Sequence, residues 1–206
     1  MAANPRNSAV SVSLSLQRVE HTLNQHRPRK KPLRLLLKRS AVAMILRELH
    51  GETEILMIKR AESEGDPWSG HMAFPGGRME SDDRHGLDVA RRETDEEIGL
   101  ELGAEDPCIG RLSDIMTHPG LKRRPMVVTP YVFRLQREVE FTPNYEVAEV
   151  VWIPLSFLMQ RDNRERMQWR RGRIDIPLPC YMFEGRRIWG LSLMMLDELM
   201  DLLKLP

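Results

Sequence analysis

The sequence predicts one α/β (α+β) domain built on a mixed β-sheet, and three observations carry that reading. Short apolar runs with β-branched residues recur along the chain, separated by Pro, Gly and charged residues, as strands are. Between the first of these runs and the C-terminus, two stretches switch to apolar positions spaced by three and four, one strongly acidic and the other closing the chain. No repeat or low-complexity tract interrupts the order, so many strands and a few helices belong to one folded unit, and 206 residues suit one domain with elaborations.

Residues 1–36 read as a peripheral N-terminal basic extension and residues 37–206 as the domain itself. Within the extension, "SVSLSLQRVEHTLNQH" has the spacing of an amphipathic helix, and "RPRKKP" ends it with two prolines. The sheet begins with "SAVAMILREL" and "TEILMIKR", two apolar runs separated by "HGE", a hairpin signal. "HMAFPGGRMESDD" then predicts a short strand running into a tight loop. From Gly86 to Ile98 the pattern is helical, with Leu87, Ala90, Thr94 and Ile98 on one stripe and Gly99 placed as a C-cap. Further strands are expected at "CIGRLSDIM", "MVVTPYVFRL", "AEVVWIPL", "RMQWRR" and "IDIPLPCYMF". "WGLSLMMLDELMDLL" closes the chain as an amphipathic helix whose apolar face offers a surface for a homodimer.

Hydrophobic residues at 41% and charged residues at 30% are ordinary for a globular protein. No apolar run approaches the roughly 18 residues of a membrane span, so no membrane partner is expected. The net charge of +1 hides an asymmetry: the first forty residues carry Arg6, Arg18, Arg27, Arg29, Lys30, Lys31, Arg34, Lys38 and Arg39 against only Glu20. Such an arm can meet nucleic acid or anionic lipid, but a solvated extension is the commoner outcome, and a nucleic-acid partner is not favoured. The arm has the Ser content and acid-poor character of a transit peptide but no signal-peptide core, and a cytoplasmic protein is expected. Cys108 and Cys180 lack CxxC or CxxH partners and read as reduced core thiols.

The stretch "RRETDEEIGL" crowds Glu93, Glu96 and Glu97 within a 100° arc beside the apolar stripe of its helix. Like charges at these spacings destabilise an isolated helix by a few tenths of a kcal/mol per pair, so something outside the helix should compensate. Arg92 can reach Glu96 at i,i+4 and orient it, and a Gly-Gly loop lies upstream. Hard oxygen ligands gathered on one face suit Mg²⁺ or Mn²⁺, which bind phosphate oxygens while keeping waters. A solvated acidic face is the alternative.

These residues carry a family resemblance. "GGRMESDDRHGLDVARRETDEEIGL" resembles the Nudix box: Gly, five residues, Glu, seven residues, then Arg-Glu-apolar-any-Glu-Glu-any-Gly-apolar. Its second half matches from Arg92 to Leu100, with Thr94 standing at the apolar position. In the first half Asp83 stands in place of Glu, and eight residues separate it from Arg92, a spacing that also occurs in the coenzyme A pyrophosphatase branch. "EVAEVVWIPLSFL" is similar to the Glu-rich strand and Trp-x-Pro-Leu segment downstream in Nudix domains. "LMIKRAESEGDPWSGHMAFPGGR" is similar to the coenzyme A pyrophosphatase signature at Arg60, Gly70, Phe74, Pro75, Gly76 and Gly77, while Ile58, Ala61 and Asp66 depart from it.

The resemblance implies an α/β/α sandwich and metal-dependent hydrolysis of the pyrophosphate bond in a nucleoside diphosphate linked to another moiety. Coenzyme A or a derivative is one substrate, ADP-ribose or another nucleoside-diphosphate derivative the alternative, and a non-catalytic nucleotide-binding module a third reading. Glu93, Glu96, Glu97 and Arg92 would be catalytic; the three glutamates and the Gly77 carbonyl would hold the metal; and Arg60, Phe74 and Gly76 would contact substrate. Asp83, Glu146 and Glu149 are candidates for general base or additional ligand. His71 and His118 are weaker loop candidates.

Overall fold

The computed structural model describes residues 14–32, 34–64, 68–117, 125–171 and 174–204. Strand β1 (Lys38–Leu49) and β2 (Glu52–Arg60) form the expected hairpin. Its two turn residues, His50 and Gly51, have φ of 52° and 79°, the left-handed pair that matches the twist of the flanking strands. β1 also runs parallel to β7 (Met126–Arg134), which makes the sheet mixed. β8 (Val147–Pro154) pairs with β2, and β5 (Cys108–Arg111) and β6 (Ile115–Thr117) pair with β7. β3 (Met72–Ala73) pairs antiparallel with the end of β2, and β4 (Gly76–Arg78) pairs antiparallel with the first half of β1.

Helices cover both faces of this sheet. Ala41, Ala43 and Ile45 of β1 and Leu56 and Ile58 of β2 pack with Val89, Ala90 and Ile98 of α2 (Gly86–Ile98). The alternate residues Met44, Leu46, Ile55 and Met57 pack on the other side against α1 (Leu16–Gln25) and α4 (Gly190–Lys204). Both strands are therefore buried on both faces, which is why they read as continuous apolar runs and do not alternate. The mixed-sheet α/β/α sandwich expected from the sequence is borne out. α3 (Leu155–Met159) follows β8, and a three-stranded antiparallel sheet of β9 (Arg164–Arg171), β10 (Ile174–Phe183) and β11 (Arg186–Ile188) precedes α4.

Several expectations change on contact with the structure. The single run "CIGRLSDIM" becomes two strands, broken where Asp114 turns inward, 4% exposed, to accept from Thr129, Arg34 and Arg111. Within the segment read as peripheral, Leu16, Val19 and Leu23 of α1 belong to the core, and Val19 is fully buried. The apolar face of α4 is not a free surface for a homodimer, because Leu193, Leu196, Leu199, Met200 and Leu203 are spent on the chain's own core. Cys180 is buried, Cys108 is half-buried, and both are unpaired.

Candidate active site

A cleft of about 2260 Å³ opens where β4 and the start of β1 meet α2 and one side of α4. Gly76 and Gly77 form its floor, and each is glycine for a steric reason. A Cβ on Gly76 would run into the Ala41 carbonyl and come within 2.6 Å of the Val42 Cα, both main chain. A Cβ on Gly77 would overlap the Glu93 carboxylate, so the missing side chain leaves room for an acid beside the Gly77 carbonyl. The Ser40 hydroxyl donates to that same carbonyl.

α2 is built to deliver its carboxylates here. Gly99 ends the helix at φ 68°, and Thr94, fully buried, returns its hydroxyl to the Ala90 carbonyl, so this polar side chain fits the apolar stripe. Glu97 is 5% exposed and accepts the Gly76 N–H at 2.9 Å. Burial pushes its carboxyl up to about 7, against the opposing pull of that hydrogen bond. Glu93 also lines the cleft, and burial raises its carboxyl while Arg92 lowers it.

Arg92 ties the acidic helix together. Its Nη1 donates to Glu93 at 3.0 Å and to Glu96 at 3.1 Å, and its Nη2 donates to Asp83 at 3.0 Å and to the Arg78 carbonyl at 3.1 Å. The hydrogen bond from Arg92 holds the Asp83 carboxyl below its ordinary range. Asp83 therefore anchors Arg92 and does not line the cleft. Glu96 sits on Arg92 with 54% of its side chain exposed, also outside the lining. Sequence spacing had placed all three glutamates in one arc; the helix's packing splits them, with Glu97 and Glu93 turned toward the glycines and Glu96 toward solvent.

Among the described residues, no three His, Cys, Asp or Glu side chains converge as a ready-made metal site. The donors that do meet in the cleft are the Glu93 and Glu97 carboxylates and the Gly77 carbonyl. That set fits Mg²⁺ or Mn²⁺, which take one or two carboxylates and fill the remaining positions with water and substrate phosphate. The upward displacement of both carboxyls agrees, since each is desolvated without full compensation from the protein.

Arg60, at the end of β2, lines the cleft with its Nη2 3.8 Å from Glu146, which lines it too. Asn144 fixes this corner: its side-chain amide donates to the Glu96 carbonyl at 2.9 Å, and its side-chain oxygen accepts the Glu146 N–H at 2.8 Å. Glu149 is engaged elsewhere, by Lys59 at 3.0 Å and Arg186 at 2.7 Å. Those two partners lower its carboxyl, and it does not line the cleft. Phe74 is a buried wall residue, and His71 meets the Trp189 ring edge-on at 5.0 Å. Asp66 and His118 lie outside the described residues. Sequence reasoning missed Ser40, Asn144 and the paired rings of Trp169 and Trp189, 6.4 Å apart; no local pattern marks them, because each acts only through partners distant in the chain.

Residues 37–173 match the family model of the NUDIX domain. The chain belongs to the Nudix family. A mitochondrial coenzyme A diphosphatase, NUDT8, of Mus musculus is 29% identical over 82% of this chain and 80% of its own length. An uncharacterized protein of Schizosaccharomyces pombe is 32% identical over 55% of this chain, and the aligned part spans 36% of that relative's length. Among solved structures, a MutT/nudix family protein from Enterococcus faecalis superposes with a TM-score of 0.52 over 93% of this chain and 68% of its own, at 18% identity, which shows the shared Nudix fold. The expectation of a Nudix hydrolase is thus met at the level of the family. Among the described residues, no helix is long and apolar enough to cross a membrane.

Proposed function

We propose that this Nudix protein is a divalent-metal-dependent pyrophosphohydrolase that cleaves the diphosphate bond of a nucleoside diphosphate joined to a second moiety, with coenzyme A or a derivative as first candidate and ADP-ribose-like compounds as the alternative. The observation that carries this is the convergence of buried Glu97, Glu93 and the Gly77 carbonyl at one end of a large cleft, across from Arg60. A diphosphate is multiply anionic and repels a nucleophile. Glu93, Glu97 and the Gly77 carbonyl would hold Mg²⁺ or Mn²⁺, which when bound would neutralise that charge and acidify a bound water.

The chain's own groups do the rest. Arg60 pairs with phosphate oxygens through its fork of N–H donors. Glu146, partly exposed and facing the same space, accepts the proton of the attacking water. Arg92 orients Glu93 and Glu96 through its hydrogen bonds, and Asp83 keeps Arg92 in place. The size of the cleft is in keeping with a substrate that has a moiety on each side of the diphosphate, and the similarity to the mouse coenzyme A diphosphatase supports coenzyme A as the first candidate.

The test is hydrolysis by wild type and Glu97→Gln with Mg²⁺ or Mn²⁺, on coenzyme A, ADP-ribose, dinucleoside polyphosphates and nucleotide sugars, with products identified by mass. Cleavage of coenzyme A into phosphopantetheine and adenosine 3′,5′-bisphosphate by wild type alone supports the first candidate. Preference for another diphosphate moves the reading to the alternative. Binding without turnover across the panel overturns the enzyme.

A further inference from the structure

We propose that Arg29 and Lys31 of the basic N-terminal arm, together with Lys38 of β1, complete the cleft as an anion subsite that takes a phosphate group of the substrate other than the diphosphate being cleaved. All three residues line the same cleft as Glu93 and Glu97. This deepens the reading above and rests on it for the identity of the substrate.

The arm is fixed in place by its main chain. The Arg29 N–H donates to Ser113 Oγ at 3.0 Å, and the Arg29 carbonyl accepts the Asp114 N–H at 2.9 Å. The Lys31 N–H donates to the Asp114 carboxylate at 3.0 Å. Lys38 is held independently, in β1, where Lys38, Ser40 and Val42 share a face and all line the cleft. Two residues along a strand is about 7 Å, so Lys38 starts one such step from Ser40, whose hydroxyl caps the Gly77 carbonyl.

What these cations lack is a counter-charge. Among the described residues, the side chains of Arg29, Lys31 and Lys38 make no hydrogen bond or ion pair, although carboxylates are near. Asp114 is engaged by Arg34 at 3.0 Å and Arg111 at 3.1 Å. Glu198 accepts the Ser113 N–H and meets His26 at 3.3 Å, and Asp201 pairs with Lys204 at 3.1 Å. Elsewhere in the fold, arginines such as Arg47, Arg92, Arg137, Arg164 and Arg186 sit on acids. Three exposed cations that line one cleft without ion pairs of their own, beside acids already engaged by other residues, raise the local potential for an anion, and a phosphomonoester dianion carries the charge to meet them.

The experiment compares ligands differing by one phosphomonoester. By calorimetry with Mg²⁺ present, the full chain should bind adenosine 3′,5′-bisphosphate at least roughly tenfold more tightly than AMP, and added salt should erode the difference. In Arg29→Ala/Lys31→Ala/Lys38→Ala the two affinities should come within about twofold, with AMP binding unchanged as the check that the variant is folded. Replacing Lys31 and Lys38 by Arg should retain the discrimination. Equal affinities in wild type, or a preference that survives the triple variant, overturns the subsite. Hydrolysis of coenzyme A against its dephosphorylated form separates this inference from the activity itself. Turnover of both at equal efficiency sinks the subsite alone, whereas phosphate-selective binding without any turnover sinks the hydrolase reading and leaves the subsite standing.

Discussion

Glu97→Gln should stabilise the metal-free protein while abolishing its metal response, a combination that a merely structural glutamate would not show. Burial lifts the Glu97 carboxyl from 4.5 to about 7. Because the folded value lies above the unfolded one, the folded chain binds more protons than the unfolded chain between those two values. Metal-free stability therefore falls as pH rises from about 4.5 to about 7 and levels off above. Each pH unit of displacement is worth about 1.4 kcal/mol, so the ionised carboxylate costs the fold about 3 kcal/mol at pH 8. Glutamine has the same shape, carries no charge, and keeps an oxygen for the Gly76 N–H. For a chain of this size about 3 kcal/mol corresponds to roughly 6–12 °C in Tm. Calorimetric melting without metal should show the variant well above wild type at pH 8 and level with it near pH 4.5. With saturating Mn²⁺ the wild type should recover by linkage, while the variant should barely respond. A metal-free variant that melts at or below wild type at pH 8, or one that gains as much from Mn²⁺ as wild type does, would refute the argument.

Other perturbations discriminate between roles. Gly77→Ala forces a methyl group into the Glu93 carboxylate; hydrolysis should fall by at least about tenfold, since displacing a reacting group by an ångström costs that much or more, and an unchanged rate would show that Glu93 is not placed by that contact. Glu146→Gln should lower kcat by about 10²-fold or more with substrate affinity nearly intact, whereas Glu149→Gln, which breaks pairing to Lys59 and Arg186 outside the cleft, should leave kcat within about threefold; the reverse order would exchange their roles. Val19→Ala empties a fully buried position in α1 and should destabilise the protein by about 2 kcal/mol in urea melts, against almost nothing if residues before the sheet were a loose arm.

The sequence alone determined the sheet's hairpin, the acidic helix and its end, because these follow from local rules. A short turn signal between apolar runs, a spacing of three and four, and a glycine able to take positive φ act within one helix or one turn. It also determined that carboxylates would be concentrated after a Gly-Gly step, since a run such as Arg92 to Leu100 is legible whatever surrounds it. What only the tertiary structure decided is which of those acids work together. Helix packing buries Glu97 and turns Glu96 out onto Arg92; Asp83 becomes the anchor of Arg92; and Glu146 and Glu149, three residues apart on one segment, face different partners. The N-terminal segment shows the same division most plainly. Its charge could be counted from the sequence, but its place could not, because the hydrogen bonds from Arg29 and Lys31 to Ser113 and Asp114 span more than eighty residues, and no local pattern encodes a contact whose partner lies that far along the chain.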